Sequence, residues 1–259
     1  MLREIIELMD IKKTKEHYRF GRSFFSDPSV IRVMEKTARE IQKTPKRFDV
    51  INFLLSRFPD ETDYLEIGVR NPADNFDRVQ ATNKWSVDPG VEFKSNPVDF
   101  QITSDEFFDG LKAGTLENVV AEFDVIFIDG LHLAEQVYRD IQNALAVLKP
   151  NGFIVLHDCN PPTEYHSRED FYFKFSPAKK FWNGTTWKGY YAARRNLTIT
   201  GTCIDSDWGV GVLSKKEMFT PLKGDGNPFF EYRIMADNRE EFLNLTSFDD
   251  FKALVEKAT

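Results

Sequence analysis

Apolar positions along the 259-residue chain follow two different periods and divide it into three stretches. Over residues 1 to about 60 the spacing is helical. Ile5, Leu8 and Met9 share one face, and so do Val50, Phe53, Leu54 and Leu55. Between them, Ser26-Asp27-Pro28 sets a capping residue before a proline, which predicts a helix start. That helix is expected to pass through Met34 and Ile41 and to end at Pro45. From residue 63 to 157 the pattern changes to short apolar runs at 64–69, 85–88, 98–102, 123–128 and 152–157, which read as strands. Helical patterns separate several of them. The clearest is 133–148, where Leu133, Val137, Ile141, Leu145 and Leu148 make one stripe. Strands alternating with helices predict a parallel sheet with right-handed crossovers. Two further strands are expected at 197–204 and 209–214. Only Asp205 to Trp208 lie between them, which is hairpin spacing and makes the last strand antiparallel. The expected fold is α/β: a mostly parallel seven-stranded sheet, helices on both faces, and an N-terminal helical extension.

Composition narrows the function classes. A hydrophobic content of 41% supports a full core, and the length suits one large domain with appendages. The expected divisions are an N-terminal helical extension over 1–60, a core over 61–215 and a C-terminal extension over 216–259. The net charge of −7 argues against a broad electrostatic grip on nucleic acid or an anionic membrane. Two cysteines, Cys159 and Cys203, make no disulfide framework and fit a reducing compartment. The N-terminal run is broken by Glu7 and lacks a small-residue cleavage site, and no stretch is long enough to span a bilayer. A cytoplasmic setting is therefore expected.

Ligands of a parallel sheet bind at the carboxyl ends of its strands. Here those ends are polar. The first gives Glu66 and Gly68, the second Asp88-Pro89-Gly90, and the third Thr103-Ser104-Asp105-Glu106. The fourth gives Asp129-Gly130-Leu131-His132, and the fifth His157-Asp158-Cys159-Asn160. Such an edge favours a ligand bearing hydroxyls, amines or a positive centre over a pyrophosphate. The three-glycine dinucleotide fingerprint is also missing after the first strand, which leaves a nicotinamide-linked enzyme the weakest reading.

The ordered set "YLEIGVR", "WSVDPG", "TSDEFF", "FDVIFIDGLHLAEQVYRDI" and "LKPNGFIVLHD" resembles the class I S-adenosylmethionine-dependent methyltransferases. Within them it is most similar to the catechol-type and macrolide-sugar O-methyltransferases, over roughly residues 60 to 215. The resemblance implies a Rossmann-like sheet and S-adenosyl-L-methionine as cofactor. It implies Glu66 and Gly68 at the methionine part, Asp88 at the ribose hydroxyls, Ser104 and Asp105 near the adenine, and Asp129 beside the cofactor. The loop departs from the glycine-rich form, with Arg70, Asn71 and Pro72 in its place.

The resemblance also implies that Asp129 is a metal-binding acid and His132, three residues on, the general base. Methyl transfer to oxygen needs a hydroxyl that loses its proton, and histidine titrates in a useful range. The plainer alternatives are a helix cap for His132 and a buried acid satisfied by amides for Asp129. Asp129 and Asp158 would face one pocket and could hold Mg2+ with Asn160, because the position just after Asp158 is Cys159, a poor ligand for a hard cation. The other reading is metal-free, with His132 acting alone. Zinc is disfavoured by the cysteine spacing.

Residues 171–195 hold nine aromatic and six basic side chains and no acid. Within an insertion over 158–195 they read as a substrate lid for a sugar-containing or anionic small molecule. The alternatives are a nucleic-acid contact, opposed by the overall acidity, and a helix whose aromatics simply pack. Taken together, the sequence predicts an O-methyltransferase of a small-molecule or sugar hydroxyl, in a chain that is also compatible with a homo-oligomer. The alternative from another class is a non-catalytic cofactor-binding or scaffold protein with the same fold.

Overall fold

The computed structural model describes residues 2–92, 97–173, 175–222, 224 and 226–258, with the backbone alone over 2–10. In chain order the elements are α1 (Leu2–Ser26), α2 (Pro28–Gln42), α3 (Arg47–Leu55), β1 (Asp63–Ile67), β2 (Asn83–Val87), α4 (Ser104–Ala113), β3 (Phe123–Ile128), α5 (Ala134–Ala146) and β4 (Leu148–Leu156). They continue with α6 (Thr186–Asn196), β5 (Thr200–Ile204), β6 (Val210–Ser214), α7 (Tyr232–Asp237), α8 (Arg239–Leu243), β7 (Leu245–Thr246) and α9 (Phe248–Ala258).

The seven strands form one sheet in the order β2-β1-β3-β4-β6-β5-β7. β6 runs antiparallel to β4 and β5, while the other pairings are parallel. This is the expected mostly parallel, Rossmann-like sheet, with one difference from the expected strand set. The run at 98–102 contributes a single parallel bridge between Phe100 and Val87. Asp99 explains this: its Oδ2 accepts from the Ser86 amide at 2.9 Å and the Ser86 hydroxyl at 2.7 Å, so a side chain replaces a ladder bond. The seventh strand is β7, added at the opposite edge beside β5.

Period-two alternation along the strands divides the core between the two faces. Leu65, Ile67, Ile126, Ile128, Ile154 and Leu156 pack with Phe107, Val137, Ile141, Trp187 and Tyr190. Tyr64, Val125, Phe127, Phe153 and Val155 pack on the other side with Val50, Ile51, Leu54, Phe251 and Val255. A buried side chain of this size contributes about 1.5–3 kcal/mol relative to exposure. The N-terminal α3 and the C-terminal α9 therefore belong to the same core as the sheet. α1 differs: Ile11, Tyr18, Phe20 and Phe25 are exposed along it. No helix among the described residues is long and apolar enough to cross a membrane.

Helix starts follow their chemistry. Asp27 caps α2 by accepting from the Ser29 amide at 2.8 Å, with Pro28 at the first position. Thr103 and Glu106 form a reciprocal capping box on α4. α5 is capped from elsewhere in the chain: the Ala134 amide donates to Thr185 Oγ1 at 2.8 Å. His132 is thus not needed as a cap.

Candidate active site

The carboxyl ends of β1, β3 and β4 meet at one point. The Asp129 amide extends the ladder by donating to the Ile67 carbonyl at 2.8 Å. Gly68 sits at φ +91, and a Cβ there would lie 2.4 Å from the Asp129 carbonyl oxygen. Its glycine is therefore required by the crossing of two strand ends as well as by its backbone conformation. The His132 carbonyl accepts from the Thr185 amide at 2.8 Å. Gly184, at φ +58, lies so close that a Cβ would come within 2.1 Å of that carbonyl. The β4–α6 segment and the β3–α5 loop are consequently locked together at His132.

The His132 imidazole bridges two acids. Nε2 is 3.2 Å from Asp129 Oδ1, and Nδ1 is 3.3 Å from Asp158 Oδ2. Nδ1 also lies 3.2 Å from the Trp182 carbonyl, and the Trp182 ring stacks on the imidazole at 5.1 Å between centroids. Burial would lower the basicity of His132, but Asp158 and then Asp129 outweigh it and raise its pKa above the ordinary value. Asp158 sits in the left-handed region at φ +61, and its Oδ1 accepts from Asn183 Nδ2 at 2.8 Å.

Three further residues complete the cluster. His157 Nδ1 is 3.2 Å from both Asp129 Oδ1 and Asp158 Oδ2, and its Nε2 is 3.5 Å from Asp207 Oδ2. Arg47 Nη1 is 3.2 Å from His157 Nε2 and 3.2 Å from Asp207 Oδ2, with Nε 3.9 Å from Asp129 Oδ2. One nitrogen of His157 therefore faces both a guanidinium and a carboxylate. Three carboxylates against one cation favour the imidazolium, and despite burial the pKa of His157 is raised well above the ordinary value by Asp158 and Asp129. Asp129 is correspondingly held well below the usual carboxylate range: burial opposes this, and His157 and His132 overcome it. Asp207 is lowered in the same way, its burial outweighed by His157 and then Arg47.

The remaining sequence-predicted residues lie around this cluster. Glu66 is buried, and its Oε2 accepts from the Tyr64 hydroxyl at 2.6 Å and from Asn75 Nδ2 at 2.8 Å. Burial pushes its pKa up to about 7. The loop after β1 is ordered by this contact, and Asn75 Oδ1 is buried with no hydrogen-bond partner. Asp88 ends β2, with Oδ1 accepting from the Gly90 amide at 2.7 Å. Ser104 Oγ accepts from Gln136 Nε2 at 3.1 Å, and Asp105 Oδ1 accepts from Arg139 Nε at 2.9 Å.

Asn160 is turned away from Asp129 and Asp158. Its Oδ1 accepts from Arg239, and its Nδ2 donates to Asp205 Oδ1 at 3.0 Å. The donor atoms that do converge are those of Asp129, His132 and Asp158, all within 4.8 Å of one another. His166, in the β4–α6 segment, is fully buried between Thr37 and Thr163, and burial pushes its pKa down to about 4. It packs α2 against the β4–α6 segment as a neutral ring.

The 171–195 segment divides in two. Trp187, Tyr190 and Tyr191 of α6 are core residues, whereas Phe171, Tyr172, Phe173 and Phe175 are exposed. Lys174 lies outside the described residues. Arg168 donates to the carbonyls of Tyr165, Phe181 and Lys179 and so holds the loop over His132. A separate cavity of about 250 Å³ lies between Phe20, Phe24, Phe25, Met34, Phe175 and Pro177, and none of the cluster residues lines it.

Residues 35–159, just under half of the chain, match the model of a family described as a methyltransferase domain. Among solved structures it is similar to an O-methyltransferase from Bacillus cereus in complex with SAH. The TM-score is 0.42 at 12% identity, covering 73% of this chain and 92% of that one. It is also similar to the O-methyltransferase TomG from Streptomyces achromogenes, involved in tomaymycin synthesis and solved with SAM, with TM-score 0.42, 12% identity, and 73% and 90% coverage. No curated protein matches the chain.

Proposed function

We propose that the protein transfers a methyl group from S-adenosylmethionine to a hydroxyl oxygen of a small molecule, with His132 as general base. The observation that carries this reading is the His132 imidazole held between Asp129 and Asp158 at the carboxyl ends of β3 and β4. Two carboxylates stabilise the imidazolium that forms when the ring takes a proton, which raises its basicity. The stacked Trp182 holds the plane of the ring.

The cofactor suits the edge on the evidence of Asn75. A buried, unpartnered Oδ1 beside the protonatable Glu66 asks for a hydrogen-bond donor, which an ammonium group would provide. Glu66 and the Gly68 turn would hold the methionine part, Asp88 the ribose, and Ser104 with Asp105 would border the adenine. When bound, the cofactor supplies a methyl group on a positively charged sulfur. The neutral form of His132 would accept the hydroxyl proton, and Asp129 and Asp158 would balance the charge the ring then carries. The acceptor reading, a sugar-containing or anionic hydroxyl compound, is supported by exposed Phe171, Tyr172 and Phe175 beside Lys179 and Lys180. Both cysteines are free and buried, which supports a reducing, cytoplasmic setting.

Magnesium does not fit the donor set. Of the three expected ligands only Asp129 and Asp158 converge, and the ring nitrogens of His132 and His157 occupy the space between them. Arg47 Nε lies 3.9 Å from Asp129 Oδ2 and already sets a positive charge beside that carboxylate, which a cation bound at the same oxygen would face at close range.

Calorimetry with S-adenosylhomocysteine and with NAD, followed by labelled methyl transfer to a panel of hydroxylated acceptors, tests the reading. S-adenosylhomocysteine binding without NAD binding, plus label on an acceptor oxygen, is expected. NAD binding alone, or a cofactor complex that methylates nothing across a broad panel, would overturn it.

A further inference from the structure

We propose that Arg47 supplies, beside Asp129, the positive charge that a divalent ion would otherwise bring, so that hydroxyl activation in this chain is metal-independent. The inference rests on the methyl-transfer reading of the same site, and it makes Arg47 a positioning residue acting through Asp129 and His157.

Arg47 comes from the N-terminal extension, at the first turn of α3, and is fixed at both ends. Its amide donates to Asp207 Oδ2 at 3.0 Å, and Nη1 reaches the same oxygen at 3.2 Å. Asp207 stands in a turn where Asp207, Trp208 and Gly209 are all left-handed, at φ 44, 67 and 91. That turn is tied down by the Trp208 amide donating to Glu40 Oε1 at 2.9 Å and by Lys46 Nζ at 3.4 Å from Asp207 Oδ1. These contacts hold the guanidinium beside Asp129. Its Nε is buried without a hydrogen-bond partner and is aimed at Asp129 Oδ2, 3.9 Å away.

The acids show the complementary condition. Asp129 Oδ1 is contacted by His132 and His157, Asp158 Oδ1 by Asn183, and Asp158 Oδ2 by both histidines. Asp129 Oδ2, the remaining oxygen, faces Arg47. The position after Asp158 cannot serve as a ligand, because Cys159 lies in the apolar core and its Sγ turns back to the His157 carbonyl. A planar, permanently charged guanidinium suits this buried position better than a lysine ammonium would.

The test uses the full chain. Metal content after purification and calorimetric titration with MgCl2 or MnCl2, with S-adenosylhomocysteine present, report ion binding directly. Methyl transfer is measured with and without EDTA, and S-adenosylhomocysteine binding alone reports whether the cofactor reading itself stands. The wild type is expected to carry no stoichiometric ion and to keep its rate in EDTA. Arg47→Met is expected to gain divalent-ion binding that the wild type lacks, to lose about 10- to 100-fold in rate with a displaced pH profile, and Arg47→Lys to recover part of that loss. One equivalent of Mg2+ on the wild type with loss of activity in EDTA would overturn the proposal. So would an Arg47→Met protein that matches the wild type in ion binding and pH profile.

Discussion

At the amino ends of β1, β3 and β4, Lys149 Nζ lies 2.8 Å from Asp63 and 2.7 Å from Asp124. At the carboxyl ends of the same strands, Asp129 and Asp158 meet His132, His157 and Arg47. Both clusters set acids beside bases on one sheet, yet they differ in three respects. The lysine is a single, part-exposed charge satisfying two acids, and Asp124 also accepts from the Asp63 amide at 2.8 Å. The other cluster uses imidazoles, which gain and lose protons near neutral pH. It also holds left-handed backbone at Gly68, Asp158 and Asp207, and an aromatic loop stacks on it. An ion pair that only joins strands needs none of these. Constrained backbone around titratable groups is what a site has to maintain against its own tendency to relax.

The largest contrast is expected from one substitution at each end. Asp129→Asn should lower the methyl-transfer rate by as much as the base itself contributes, about 10²–10⁴-fold. Asp124→Asn should leave the rate per folded molecule unchanged, and steady-state kinetics on both variants distinguishes the two ends. Asp88→Ala should weaken S-adenosylhomocysteine binding by about 1.5–3 kcal/mol, the loss of charge-assisted bonds to ribose hydroxyls. Calorimetry that finds unchanged affinity would remove Asp88 from the site.

What the sequence made legible follows from range. β3 was readable to its boundaries because Phe123–Ile128 is buried throughout and is closed by a charged residue. The Asp129–His132 pair was legible because three residues separate them. Arg47 and Asp207 were not, since 160 residues separate them and only the sheet order brings α3 beside the β5–β6 turn. An acid in the tight Ser206-Asp207-Trp208-Gly209 turn was the one available signal. Asn160 reads as a neighbour of Asp158, but the left-handed Asp158 redirects the chain and hands the amide to Arg239 and Asp205. The aromatic segment was legible in composition only. Its division into buried α6 and exposed loop depends on packing against α5, where Gly189 lies within contact of Val137.

A smaller effect belongs to the amino-end cluster. Lys149→Met should cost about 1–2 kcal/mol of stability, discounted for its partial exposure, and leave cofactor affinity unchanged. Chemical denaturation checks the first part and calorimetry the second. The smallest effect is in the pH dependence of stability. The pKa values of His132 and His157 are raised in the folded state, so their contribution is complete below the unfolded value of 6.5. It is lost as pH rises through the folded values. Thermal melts from pH 6 upward should show a falling midpoint that is absent in the His132→Gln, His157→Gln double variant.

The most direct measurement is the methyl-transfer rate of His132→Gln across pH 6 to 9, alongside its S-adenosylhomocysteine affinity. The substitution keeps size and polarity and removes the base. A rate lowered by about 10²–10⁴-fold, with the wild type's rise with pH abolished and the affinity nearly unchanged, is the predicted result. A variant that turns over at the wild-type rate throughout that range would contradict the assignment of His132 as the base.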